Sequence, residues 1–208
     1  MKTYREYKEE ARTTLRGHWG KMALATLVYT LIAGICGSIP FANFALIILV
    51  GMPLGYGFYL MFLKFDRDQT TDTVGSIFDG FKTYGRAIGV PLLMAVYIFL
   101  WTLLLIIPGI IKSYAYSQAY FLAKDHPDWS AEKCIHESRM MMQGHKWRLF
   151  VLDLSFIGWY LLGILSLGIG YLWITPFVYA TRVKFYNELL REKNEQAAPA
   201  EATPAAAV

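Results

Sequence analysis

Apolar and polar positions alternate along this chain on two scales. On the coarse scale, apolar residues gather into three blocks: Met22 to Leu63, Ala87 to Ala123 and Leu149 to Thr181. Each block is too long for one helix through a hydrocarbon core ~30 Å thick, which takes about 20 residues. Each has a turn signal near its middle: "CGSIPFAN" at 36–43, "PG" at 108–109 and "SLGIG" at 166–170. The pattern predicts an all-α membrane protein with six transmembrane helices arranged as three helical hairpins. The third block is the tightest case. Less a turn, it leaves two helices of about 14 residues, ~21 Å each. Such a hairpin spans only a locally thinned bilayer, or dips in and returns.

On the fine scale, the polar stretch before each block is periodic. Tyr4, Tyr7, Ala11, Leu15 and Trp19 share a face, with Arg5, Lys8, Glu9, Arg12 and Arg16 off it. Val74, Ile77, Phe78, Phe81 and Tyr84 form a second stripe. Ile135, Ser138 and Met142 form a third, behind Ser130 as N-cap. These stripes predict short amphipathic helices lying in the inner headgroup plane. Soluble helices packed on one another are the alternative.

The stretches "RGHWGKMALATLV" (16–28), "KTYGRAIGVPLLM" (82–94) and "QGHKWRLFVLDLS" (143–155) each set an aromatic beside a basic residue, then an apolar run. Their basic anchors Lys21, Arg86 and Arg148 are 65 and 62 residues apart. Three copies of one unit are expected, at about 4–68, 73–125 and 130–190, within a single membrane domain over 1–190. The remainder, 191–208, is rich in Ala and Pro and is expected to be disordered.

Charge orients the blocks. With the N-terminus inside, segments 1–21, 64–86, 124–148 and 182–208 carry 19 of the 20 Lys and Arg. The turns carry none. Both termini are therefore expected on the cytoplasmic side. Trp19 and Trp147 then mark inner entrances, and Trp101, Trp159 and Trp173 lie nearer the outer turns. The interfacial anchors expected are Trp19, Lys21, Tyr84, Arg86, Trp147 and Arg148. Composition agrees: 55% of residues are hydrophobic and 17% charged, against about 25% charged in soluble domains. Residues 1–21 mix Lys and Arg with Glu and lack a cleavage signal, so the first apolar run is expected to stay in the mature protein. The net charge of +4 flanks apolar runs, which points to anionic lipid rather than nucleic acid.

Three segments carry a family resemblance: "ARTTLRGHWGKMAL", "IIPGIIKSYAYSQAYFLAKDHPDWSA" and "GHKWRLFVLDLSFIGWYLLGILSLGIGYLWITPFVYAT". Together they resemble the bacterial integral membrane family called domain of unknown function 975, over nearly the whole chain to about residue 190. The resemblance implies a multi-pass protein of the bacterial cytoplasmic membrane with no assigned activity, and supplies no catalytic residues.

Candidate chemistry is sparse. Lys112 and Asp153 are ionisable residues inside apolar blocks, where a charge costs at least ~2.5 kcal/mol at mid-bilayer. Lys112 either snorkels to outer headgroups or faces the bundle as a site for an anionic group. Asp153 either pairs with a basic residue, Arg86 or Arg182, or serves a proton or ion relay. Gln118 shares its helix with Ser113 and Ser117, either lining a cavity or bonding between helices. Gly51 and Gly55 form a GxxxG spacing, which expects close helix contact. Cys36 and Cys134 are expected on opposite sides of the membrane and offer no disulfide framework. The histidines lack metal-ligand spacing, and no nucleotide loop or nucleophile elbow is present, so no metal or cofactor is expected. The leading expectation is a non-enzymatic membrane assembly, envelope or lipid-interaction factor, with lipids and a homo-oligomer or membrane protein as partners. A small-solute transporter or channel using Lys112, Gln118 and Asp153 is the alternative, and requires all three in one cavity.

Overall fold

The structure is a computed structural model and describes residues 2–38, 43–68 and 73–201, which are helical and contain no strand. Helix α1 (Tyr4–Leu15) leads into α2 (Trp19–Ser38), then α3 (Asn43–Leu46), a π-helical turn (Ile47–Gly51) and α4 (Met52–Asp68). Two single turns, α5 (Thr73–Ser76) and α6 (Asp79–Lys82), lead into α7 (Tyr84–Leu104), α8 (Ile106–Tyr116) and α9 (Ala119–Asp125). Helix α10 (Ala131–Met141) leads into α11 (Lys146–Leu154), α12 (Ile157–Leu165) and α13 (Tyr171–Glu201).

Local contacts set the helices in antiparallel pairs. In the first, the His18 ring meets Phe65 at 5.2 Å and Tyr29 stacks on Phe58 at 4.4 Å. In the second, α7 lies against α8, with Tyr97 on Tyr116 at 6.1 Å. In the third, Phe156 meets Phe177 at 5.3 Å, one turn from an ion pair between Asp153 and Arg182. The pairs meet where α4, α9 and α13 converge: Tyr59 lies 4.8 Å from Tyr120 and 4.7 Å from Tyr179.

Each leading segment packs on the pair before it, and α1 closes the ring on the last. Turns α5 and α6 lie on α4, α10 lies on α7, α8 and α9, and α1 lies along α13 with Tyr7 5.6 Å from Phe185. The apolar stripes of the leading segments therefore face neighbouring helices of the protein. The stripe Tyr7, Ala11 and Leu15 is fully buried, as are Ile77, Ser138 and Met142. Neighbouring helices offer those faces a closer-packed cover than lipid would. The second stripe is also not one helix. Ile77 faces inward, whereas Phe78, Phe81 and Tyr84 stay exposed in a row with ring spacings of 6.4 Å.

Four helical stretches are long and apolar enough to cross a membrane: Trp19–Ser38, Ile47–Asp68, Tyr84–Leu104 and Lys146–Leu165. The other two expected spans fall short for local reasons. The helix after the second turn breaks at Ser117, whose hydroxyl turns back to the Tyr114 carbonyl at 2.8 Å and competes with the helical ladder. Helix α13 becomes charged from Arg182 onward.

Two boundaries differ from the sequence expectation. The second turn falls at Leu105, which is extended (φ −162°, ψ 141°), and Pro108 sits inside the first turn of α8. A proline is tolerated there because that N–H has no helical partner. Helix α13 runs on to Glu201, past the expected start of the tail, through Glu and Ala that favour helix. The rest of that tail, and part of the first turn signal, lie outside the described residues. The GxxxG glycines do not make the tight contact either. Gly55 faces only the Tyr29 hydroxyl and Gly51 only its own preceding turn; the close approach is between Gly57 and Gly80.

Candidate membrane-contact site

Large apolar side chains are bare in three zones, one on each pair. On α2, Leu31 and Ile35 are 58% and 63% exposed. Around the second turn, every residue from Leu103 to Ile107 is at least 64% exposed. Around the third, Leu165 and Leu167 reach 79% and 92%. A monomer in water rarely exposes contiguous apolar surface on this scale.

Cations and aromatics border these zones. Lys8 lies 4.1 Å over the Phe156 ring and donates to the Ser155 carbonyl at 2.9 Å, where α11 gives way to α12. Burial there lowers the Lys8 ammonium below its ordinary range. Arg12 lies 5.7 Å from the Phe177 ring. The Tyr84 hydroxyl donates to the Leu49 carbonyl at 3.0 Å. Leu49 lies in the π-helical turn, so this bond ties the start of α7 to the first pair.

The expected anchors distribute as follows. Trp19 lies 6.2 Å from Phe177 and shares a cavity of about 220 Å³ with Arg12, Trp159 and Trp173. Lys21 is exposed. Arg86 donates to the Pro127 carbonyl and Arg148 to that of Lys2. Trp147 is 69% exposed beside an apolar cavity with Ile107, Ile110 and Ile111.

The three intramembrane candidates do not converge. Lys112 lies 4.3 Å over the Trp101 ring, in a cavity of about 280 Å³ with Glu132, His136 and Arg139. That cavity includes neither Gln118 nor Asp153. Gln118 is buried at the α8–α9 break: its backbone N–H donates to the Ser138 hydroxyl at 3.1 Å, and that hydroxyl donates to the Ala115 carbonyl at 2.9 Å. Ser138 thus repairs a helix break in a neighbouring helix. Ser138→Ala strands both backbone groups and is expected to cost about 1–3 kcal/mol, read as a lower Tm in detergent; an unchanged Tm would show that the break needs no repair. Asp153 makes a bidentate pair with Arg182, at 2.7 and 3.2 Å.

A second polar network ties the ends of α4 and α9 to the middle of α13. Lys184 pairs with Asp66 at 2.6 Å, Tyr186 donates to Asp125 at 2.7 Å, and Arg67 pairs with the same Asp125. One member of it, Lys184, belongs to a spacing that the repeat comparison missed, because that comparison aligned only the starts of the units. Lys64, Lys124 and Lys184 recur every 60 residues at the ends of the blocks. Two histidines go to ring packing, His18 on Phe65 and His126 stacked 3.7 Å from Trp129. Among the described residues, no three His, Cys, Asp or Glu side chains cluster as a metal site.

Helices of membrane-spanning length, bare apolar zones and cationic borders define a protein of membrane type. The chain belongs to the family described as "Protein of unknown function (DUF975)", matched over residues 1–112 and 102–193. No curated protein and no solved structure matches it.

Proposed function

We propose that this chain is a non-enzymatic, lipid-contacting protein of the bacterial cytoplasmic membrane, with both termini in the cytoplasm and a role in membrane assembly or the envelope. The observation that carries this reading is the set of three bare apolar zones, with cation–aromatic contacts on the second and third pairs that suit a headgroup layer. The placement of 19 of 20 Lys and Arg in the four polar segments supports the orientation. A solute path loses support because Lys112, Gln118 and Asp153 occupy separate surroundings. Phospholipid is expected to stay with the protein through gel filtration in mild detergent, and proteoliposomes are expected to pass ions and small solutes no faster than empty vesicles. A lipid-free protein whose Tm ignores added phospholipid would sink the reading. Flux abolished by Asp153→Asn would replace it with transport.

A further inference from the structure

Building on the lipid-contacting reading, we infer that all three helix pairs enter and leave the bilayer on one face. The acyl chains of the cytoplasmic leaflet cover the bare zones, and the turns stop near mid-bilayer. Distances between residues at the start of one pair and residues close to the turn of another carry this. A turn that has crossed must lie ~30 Å from residues at the inner interface. A straight-line separation caps the difference in depth, whatever the tilt of the helices.

In the third pair, the reference residue is Trp19, held near water by Lys21 and by Arg12 in the same cavity. Its ring lies 6.2 Å from Phe177. Phe177 follows Gly170 by seven residues, ~10.5 Å of helix. Allowing for side-chain reach, the turn is about 20 Å from Trp19 or less. Trp173, closer still to the turn, lines that same cavity.

In the first pair, Tyr84 plays this part, between Lys82, whose side chain is 79% exposed, and Arg86. Its hydroxyl reaches the Leu49 carbonyl at 3.0 Å. Leu49 is six residues, ~9 Å, from the start of α3.

In the second pair, Lys112 shares its cavity with Glu132, His136 and Arg139 of α10. Helix α10 also carries Lys133 and Glu137. Five ionisable residues in eleven hold that helix out of hydrocarbon. Lys112 is only seven residues, ~10.5 Å, from Leu105. The same turn meets Trp147 through Ile107.

Each of the three separations is well short of a crossing. The described residues at the second and third turns, and those flanking the first, fit the same depth. They are free of charge, and Leu165, Leu167 and Ile169 point outward from the third. Such a turn suits acyl chains and is out of place in external water. Helices 20 residues long fit a shallow seat by tilting.

The test uses spin labels on the full chain with Cys36→Ala and Cys134→Ala. Labels go at exposed turn positions (Ser38→Cys, Leu105→Cys, Leu167→Cys) and at Lys21→Cys and Trp147→Cys as references. In vesicles of phosphatidylethanolamine and phosphatidylglycerol, turn labels are expected to favour oxygen over a nickel chelate several-fold, at mid-bilayer depth, with the references near the headgroups. In intact cells, an impermeant maleimide added outside is expected to reach none of the three turns. A turn labelled from outside overturns the inference and leaves the lipid-contacting reading standing. Turn labels shielded from both oxygen and nickel mean that a second copy covers them, which also overturns it. Protein released from vesicles by alkaline carbonate, with its turns open to nickel, removes both readings.

Discussion

Gly80→Ala is expected to lower Tm by about 6–12 °C and to cut the folded yield sharply. A Cβ built on Gly80 overlaps the Pro53 carbonyl oxygen and comes within 3.0 Å of the Gly57 nitrogen. One built on Gly57 overlaps the Ile77 carbonyl oxygen. Two backbones therefore touch, and no side chain can swing away to make room. Overpacking against side chains costs about 1–3 kcal/mol; a backbone neighbour places this case at the upper end, ~3 kcal/mol. For a chain of this size each kcal/mol is worth about 2–4 °C. The contact seats α5 and α6 on α4, so its loss frees the covering of the first pair. Gly85→Ala is the control, since a Cβ there meets nothing within 4 Å. Equal Tm values for the two variants would show that the approach between the two backbones is not needed.

The helical class was legible because apolar blocks of this length leave few alternatives. Turn positions were less so. The proline at 108 looked like the break, yet a proline also fits a first helical turn, and only Leu105 shows which applies. The amphipathic stripes were visible, but a stripe does not say what covers it. Lipid and a neighbouring helix satisfy Tyr7, Ala11 and Leu15 equally well on paper, and the ring closure of α1 onto α13 decides for protein. Block length likewise gives the length of a helix and not its depth. Trp19 and Trp173, assigned to opposite halves of the membrane from sequence, line one cavity.

Among candidate residues, those fixed by simple electrostatics were legible. A carboxylate in an apolar run needs a cation, and Arg182 was one of two within reach. Contacts set by the ring were not. Gln118 meets Ser138 from a different helix, and Lys112 meets Trp101 across a turn whose position was misplaced. The tight glycine contact was hidden for another reason. Gly80 lies in a polar stretch, away from the apolar helices where such spacing is usually sought.

Removing either member of the Asp153–Arg182 pair is expected to cost ~3 kcal/mol, the low end of what losing one partner of a buried pair costs. The side chains are 17% and 31% exposed, so neither charge is well hydrated once alone. The geometry is bidentate, which makes the loss abrupt and not graded. Asp153→Leu leaves a guanidinium between α11 and α13; Arg182→Met leaves a carboxylate. Each is expected to lower Tm by about 6–12 °C. The double variant is expected to recover most of that loss, because apolar residues replace a desolvated pair at little net cost. This cycle separates a structural pair from a working one. A structural pair then shows coupling of about 4–6 kcal/mol between the two sites, the two single losses less the small loss of the double variant, and no change in the ion permeability of vesicles. Additive losses would mean that the two side chains act independently, and that Asp153 is held in an apolar helix for some purpose other than Arg182.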